Sequence, residues 1–325
     1  MRIAIVGATG LVGREVLKIL NERGLITNHE IFLFASRNSA GKTIKVGEAE
    51  FVVSELTKSG VPKCDFAIFC AGRKIAEQYA QIFIKKGAVV VDNSSAFRRH
   101  KSVPLVIPEV NVDAVGNSRL IANPNCSTIG VSVPLFYLSS LSKIKRVIVS
   151  TYQAVSGAGQ NGVMDLECGT NRKIVQGIKN NIVPQIDYAL LNGYTFEEDK
   201  MRFELKKILN DRYLKVSATC VRVPVFNCHC ASINIEFENE PNMRDVRLVL
   251  KNGKGISVVD DLKNNMVPMP LIANGKDNIF VGRIRRDISN PRAINLFVCF
   301  DNVRKGAALN AVQIIQAIIN ESKLR

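Results

Sequence analysis

The sequence predicts an α/β protein whose N-terminal domain carries a mostly parallel sheet and whose second domain is α+β. Three observations predict it. Short apolar runs alternate with helical periodicity through the first third of the chain, the rhythm of a parallel βαβ sheet. A glycine-rich turn joins the first run to the first helix. From about residue 143 that rhythm gives way to longer alternating strands without regular crossovers. At 325 residues, with 46% hydrophobic and 22% charged side chains, the chain can bury a full core, and its length favours two domains.

The elements follow in order. Residues 2–7 read as a strand. Residues 11–23 read as a helix with Val12, Val16, Leu17 and Leu20 on one stripe, closed by Gly24. Strands at 30–36, 65–70 and 88–92 flank a helix at 75–86, and a strand-like Leu120–Ala122 leads to a helix beginning near Ser127. In the second domain, residues 218–226 and 230–238 alternate as strands. The stretch 303–322 returns to helical spacing through Ala307, Ala311, Ile314, Ile315 and Ile318. There is no internal repeat or low-complexity tract.

Composition excludes some classes. Every long apolar run is shorter than the roughly 18 residues of a bilayer-spanning helix or is broken by polar residues, so no membrane partner is expected. Met1-Arg2 leads straight into a strand-like run without a signal-peptide pattern, which predicts a cytoplasmic protein. The eight cysteines lie mostly in apolar runs and read as reduced thiols. Cys228-His229-Cys230 has no second ligand pair at zinc-finger spacing, and no metal is expected. A net charge of +15 attracts anions, but the basic residues are scattered, so phosphorylated metabolites fit better than nucleic acid.

Gly7-Ala8-Thr9-Gly10-Leu11-Val12-Gly13 sits where a strand meets an amphipathic helix, the setting a dinucleotide fingerprint requires. The glycines allow a tight turn and close approach of backbone to pyrophosphate, and the helix N-terminus offers N–H groups and positive potential. Gly7, Thr9, Gly10, Leu11 and Val12 are therefore candidate cofactor contacts. The second strand ends in Ser36-Arg37-Asn38-Ser39 where NAD sites usually carry an acid for the ribose 2′-hydroxyl. Ser36, Arg37 and Ser39 suit a 2′-phosphate, which predicts NADP. Asn125-Cys126-Ser127 places a cysteine at a helix N-terminus, where dipole and N–H groups favour the thiolate, so Cys126 is the candidate nucleophile.

Seven ordered segments resemble the aspartate-semialdehyde dehydrogenase family along nearly the whole chain. They are the GATGLVG loop, Asn93-Ser94-Ser95-Ala96-Phe97-Arg98, Asn123-Pro124-Asn125-Cys126-Ser127-Thr128-Ile129-Gly130, Tyr152-Gln153-Ala154-Val155-Ser156-Gly157-Ala158-Gly159, Glu197-x-x-Lys200, Arg222-Val223-Pro224-Val225-Phe226-x-x-His229, and Lys305-Gly306-Ala307-Ala308-x-Asn310-Ala311-Val312. The resemblance implies a Rossmann-type NADP-binding domain over residues 1–127, completed by a C-terminal helix at 303–325, and a catalytic and dimerisation domain over 128–302. It implies reduction of L-aspartyl-4-phosphate to the semialdehyde through a Cys126 thioester, in biosynthesis of lysine, threonine, methionine and diaminopimelate, by a homodimer or homotetramer.

The resemblance also implies roles. His229 would be the acid–base and Gln153 would orient the acyl group; Asn125 would contact substrate. Arg222 would bind the α-carboxylate and Glu197 the α-ammonium, while Arg98 and Lys200 hold phosphate. Ser156, Gly157 and Asn310 would meet the nicotinamide half of the cofactor. Taken alone, Arg98, Glu197 and Lys200 read as surface charges. The family often has glycine and a small or hydroxyl residue beside its histidine, where this chain has Cys228 and Cys230, leaving a redox-sensitive thiol open. N-acetyl-γ-glutamyl-phosphate reductase is the alternative in similar chemistry, but its Gly-Cys-Tyr-Pro-Thr setting is absent. A non-catalytic nucleotide-binding paralogue is the other, and retention of Cys126, Gln153, Arg222 and His229 together argues against it.

Overall fold

The computed structural model describes residues 1–324, with side chains through Glu321. It divides into a unit formed by Met1–Pro124 with the C-terminal stretch from Ala307, and a unit formed by Asn125–Gly306.

The first unit runs β1 (Arg2–Val6), α1 (Leu11–Glu22), β2 (Glu30–Ala35), β3 (Thr43–Val46), β4 (Ala49–Glu55), β5 (Phe66–Phe69), α2 (Arg73–Lys85), β6 (Val89–Asp92), α3 (Pro108–Asn111) and β7 (Leu120–Ala122). Its sheet has the order β3-β4-β2-β1-β5-β6-β7 and is parallel except for the antiparallel β3–β4 pair. Alternation along β1 separates two cores. Ile3 and Ile5 join Val16, Leu17 and Leu20 of α1 on one face, while Ala4 and Val6 join Phe69 and Phe83 on the other.

The second unit runs α4 (Cys126–Leu138), β8 (Ile144–Gln153), α5 (Gln160–Cys168), α6 (Phe196–Ile208), β9 (Lys215–Arg222), β10 (His229–Phe237), α7 (Met243–Lys251), β11 (Ile256–Val258), α8 (Pro270–Ala273), β12 (Ile279–Arg286) and β13 (Ala293–Phe300). Its sheet order is β11-β12-β13-β10-β8-β9. β8 and β9 are parallel with Gln153 opposite Arg222, and β10 runs antiparallel to β8. The carboxyl ends of β8 and β9 and the start of β10 therefore deliver Gln153, Arg222 and His229 to the same end of three neighbouring strands. α4 packs on α6, α7 and β13, and Gly130 makes room for the Phe300 ring, which an added Cβ would meet at 2.0 Å.

A π-helical turn at Arg304–Ala308 precedes α9 (Leu309–Leu324), so the expected single helix has a wider first turn. α9 returns to the first unit, where Ala311, Ile314 and Ile315 complete the α1 core. A line of asparagine amides ties it there. Asn310 donates to Asn123 Oδ1 (2.6 Å), Asn123 to Asn93 Oδ1 (2.8 Å), and Asn93 to the Phe69 carbonyl (2.9 Å). Among the described residues no helix is long and apolar enough to cross a membrane.

Candidate active site

Cys126 is the first residue of α4, and the half-buried thiol stands where peptide N–H groups and helix dipole favour negative charge. Asn125 caps the helix from an extended backbone (φ −60°, ψ 144°), its Oδ1 accepting from the N–H groups of Ser127 (2.9 Å) and Thr128 (3.3 Å). The opposite side of Asn125 faces α6: Nδ2 donates to Glu197 Oε1 (3.0 Å) and the backbone N–H to Glu204 Oε2 (2.7 Å). Gly306 lies beside the cysteine, where an added Cβ would come within 3.0 Å of Cys126 Cβ.

α6 brings an inward-facing charge cluster. Glu197, expected from its sequence alone at the surface, is 5% exposed, and Lys200 salt-bridges it at 2.5 Å and Asp187 at 2.7 Å. Burial would raise the Glu197 carboxyl, but Lys200, a hydrogen bond from Gln153 and the field of Arg222 hold it at about 2. Burial likewise opposes the Lys200 charge, and its two carboxylates outweigh that and raise the ammonium above its ordinary value. Gln153 Nε2 donates to Glu197 Oε1 (3.1 Å) and Thr151 Oγ1 (3.3 Å), so both its amide hydrogens are committed within the protein. Arg222 is buried, donates to the Ala154 carbonyl (2.7 Å), and interacts electrostatically first with Glu197 and then with Cys126.

His229 is 1% exposed. Burial, and after it the Arg222 charge, lowers its pKa to about 3, so the ring is neutral at working pH. The Ala154 N–H donates to Nδ1 (3.0 Å), which leaves the ring proton on Nε2. Among the described residues no group pairs with Nε2, and a Cβ at Gly157 would stand 3.0 Å from it and 2.8 Å from Arg222 Nη1. Gly157 thus leaves room for the packed side chains of His229 and Arg222, which a Cβ would displace.

Cys126, Asn125, Gln153, Gly157, Glu197, Lys200 and Arg222 line one cavity of about 540 Å³. Its outer wall includes Lys173, Gln176 and Gln185. Asp165 anchors that wall: burial would raise its pKa, yet the N–H groups of Ile174, Lys173 and Arg172 and the Thr170 hydroxyl hold it near 2. Arg98 lies in the first unit, buried rather than exposed as its residue type suggested, and donates to the Asn93 carbonyl (2.7 Å) beside Asp92.

The turn after β1 could hold an anion. Gly7 (φ +87°) and Gly13 are required by the protein itself, since a Cβ would come within 2.8 Å of Cys70 and 2.3 Å of Gly7 O respectively. Gly10 is different: an added Cβ would meet nothing closer than 3.5 Å, and as N-cap of α1 it provides no side-chain cap. The bare N-terminus and open Gly10 suit a pyrophosphate, with Thr9, Leu11 and Val12 around it. Ser36, Arg37 and Ser39 follow β2 on a 3₁₀ turn, with Ser36 and Arg37 exposed and no acid among them. In the second unit, buried Ser156 hydrogen-bonds Asn302.

Comparison with known proteins gives the same reading over the full length. A family model described as "Semialdehyde dehydrogenase, NAD binding domain" matches residues 2–118, and one described as "Semialdehyde dehydrogenase, dimerisation domain" matches 134–305. The aspartate-semialdehyde dehydrogenase of Aquifex aeolicus is 46% identical over 98% of both chains. The chain belongs to the aspartate-semialdehyde dehydrogenase family. Aspartate semialdehyde dehydrogenase II of Vibrio cholerae, in a structure complexed with ASA, superposes with a TM-score of 0.91 at 40% identity and 98% coverage of both chains. The Candida albicans enzyme with NADP gives 0.78 at 27% identity, again over 98% of both.

Membership of the aspartate-semialdehyde dehydrogenase family makes the chain an oxidoreductase with a nicotinamide dinucleotide-binding domain. Several site residues escaped the sequence. Glu204 lies one heptad after Glu197 on the same helix, a spacing that signals one face. Glu198 forms a capping box with Thr195, readable as Thr-x-x-Glu, and also accepts from Cys220 N–H (3.0 Å). Asp187 and Asn302 carry no sequence signal. Cys228 adopts φ +75°, the left-handed region natural to glycine, which accounts for glycine in the family's pattern; its N–H is held by Asn302 Oδ1 (2.9 Å). Cys228, Cys230 and Cys299 form a buried cluster in which hydrogen bonding of the Cys299 thiol to the first two raises its pKa, and burial adds to it. Among the described residues no disulfide and no metal-binding group of acids, histidines and cysteines is present.

Proposed function

We propose that the chain catalyses the NADPH-dependent reductive dephosphorylation of L-aspartyl-4-phosphate to L-aspartate-4-semialdehyde through a thioester on Cys126, as a cytoplasmic homodimer or homotetramer. The observation that carries it is the convergence, on one cavity, of a helix-N-terminal thiol with the buried opposite charges of Arg222 and Glu197, a pattern suited to an amino-acid head group. The Cys126 thiolate attacks the acyl carbon, the carbon–oxygen bond to phosphorus breaks, and phosphate leaves with the electron pair. A bound nicotinamide dinucleotide supplies the hydride that reduces this thioester. The tetrahedral oxyanion then re-forms its carbonyl and expels Cys126 thiolate, freeing the aldehyde.

Arg222 pairs with the α-carboxylate and Glu197 with the α-ammonium. Lys200 receives the phosphate. His229, carrying its proton on Nε2, acts as the hydrogen-bond donor to the oxygen that takes up charge, and its low pKa keeps that proton state across the working range. Gln153 holds Glu197 in place and presents its carbonyl oxygen, its hydrogens being committed. The first unit holds the dinucleotide, with Arg37 and the Ser36 and Ser39 hydroxyls on the 2′-phosphate.

The test is phosphate-dependent reduction of NADP⁺ by L-aspartate semialdehyde, followed at about 340 nm, where reduced nicotinamide absorbs. Activity that requires phosphate and vanishes in Cys126→Ala is the expected result; activity retained in that variant overturns the covalent route. Arg37→Ala should raise the Kd of NADP⁺ and leave that of NAD⁺ unchanged; equal effects on both overturn the 2′-phosphate assignment.

A further inference from the structure

We propose that Glu204 is a positioning residue for the nucleophile, acting through Asn125; the inference rests on the reading of Cys126 as nucleophile. Glu204 is 1% exposed, yet it is a carboxylate in the body of a helix, and its Oε2 accepts from the backbone N–H of the residue immediately before the cysteine at 2.7 Å. Glu197, on the same face of α6, takes the side-chain amide of that same residue. Asn125 is therefore gripped at two points by one helix while its remaining oxygen caps the helix that begins with Cys126. The Pro124–Asn125 peptide cannot rotate without breaking the bond to Glu204, and the Asn125 side chain cannot turn without breaking the bond to Glu197 or the cap.

The clamp also joins the nucleophile to the head-group site. Glu197 shares its Oε1 between Asn125 and Gln153 and its other oxygen with Lys200, so α6 carries the substrate-side carboxylate and the nucleophile-side carboxylate on one rigid element. Burying a second carboxylate on that face is costly unless it is well paired. Besides the Asn125 N–H, Glu204 has the charge of half-buried Lys207 one turn on, which it raises against the lowering effect of burial. A merely space-filling role would be met more cheaply by an apolar side chain. An acceptor aimed at the backbone N–H of the residue before the nucleophile is what positioning requires, because displacing a reacting group by about 1 Å costs on the order of a hundredfold in rate.

The experiment compares wild type, Glu204→Leu, Glu204→Gln and Glu204→Asp in the phosphate-dependent assay, with melting curves and NADP⁺ binding as controls of folding. Glu204→Leu should lower kcat by about a hundredfold with KM for phosphate and semialdehyde within about twofold, because ground-state contacts are intact. Glu204→Gln keeps an acceptor for the Asn125 N–H and should retain at least about a third of kcat. A folded Glu204→Leu enzyme with wild-type kcat, or one that loses only KM, overturns the proposal. So does a Glu204→Gln enzyme as slow as Glu204→Leu. If Glu204→Leu does not fold, Glu204→Asp decides: its acceptor is withdrawn by one methylene, a lower kcat at unchanged KM supports positioning, and wild-type kcat overturns it. Wild-type enzyme without phosphate-dependent activity would instead defeat the functional reading itself.

Discussion

Two helix N-termini in this chain begin from opposite chemistries. α1 starts at Gly10, with no side-chain cap and no acid in its first turn. α4 starts at Asn125, whose side chain accepts two first-turn N–H groups and whose other polar groups are held by Glu197 and Glu204. Both ends carry the same dipole. At α1 no side chain caps the first-turn amides, and the glycine keeps the approach to them open, as the proposed anion site requires. At α4 the protein satisfies the amides itself, and the field acts on a covalently attached sulfur. What occupies the first turn decides whether a helix end binds or reacts.

Exchanging the two chemistries tests this. Asn125→Gly should have the largest effect, about a hundredfold in kcat, because the link from Glu197 to the nucleophile helix is lost; steady-state kinetics with unchanged kcat would break the comparison. Gly10→Asn gives α1 the cap it lacks and should weaken NADP⁺ binding about tenfold, or 1.4 kcal/mol, without lowering the melting temperature; an unchanged Kd by titration would show that the bare turn is not the anion site.

The buried histidine sets a smaller effect. The folded His229 titrates near 3 and an unfolded histidine near 6.5, so below about 6.5 the unfolded state binds a proton the native state refuses. Stability should therefore fall with pH below 6.5, by up to about 1.4 kcal/mol per unit from this group, and denaturant curves of His229→Asn should show a shallower slope between pH 6.5 and 4.5. Glu197 adds to acid sensitivity lower down: its folded pKa is depressed from 4.5 to about 2, so its contribution is present above about 4.5 and lost as pH falls through 2. Asn125→Gly also takes a donor from buried Glu197, so its stability should fall by about 1–3 kcal/mol, the N-cap exchange itself adding only about a few tenths; a much larger drop in melting temperature would mean the clamp serves folding more than rate.

The sequence disclosed what local pattern controls. β1, the glycine turn and α1 were legible because strand, turn and amphipathic helix each leave their own periodicity, and α4 begins one residue before the expected Ser127 because Asn125 is the cap. The β3–β4 hairpin left no comparable signal: β4 is an inner strand of the sheet, yet its burial is irregular and Val52 is 66% exposed. α6 misled for a different reason. Its acids and lysines look like a solvated face, and Glu197, Glu198 and Glu204 are nevertheless buried with partners distant in the chain, while buried Asp199 pairs locally with Arg202. Polar burial is set by those long-range partners, which periodicity does not contain. The resemblance supplied Glu197 and Lys200; only the heptad spacing from Glu197 pointed to Glu204, and nothing local supplied Asp187.

The return of α9 to the first unit has a consequence for synthesis. The face of the N-terminal sheet that carries Ile3 and Ile5 is closed by Ala311, Ile314 and Ile315, which leave the ribosome only after all of residues 125–306. At roughly 5–20 residues per second that interval lasts on the order of 10–40 s. The second unit can finish folding while the first still displays an uncovered apolar face, so nascent chains stalled before residue 307 should bind holdase chaperones and release them once α9 is complete.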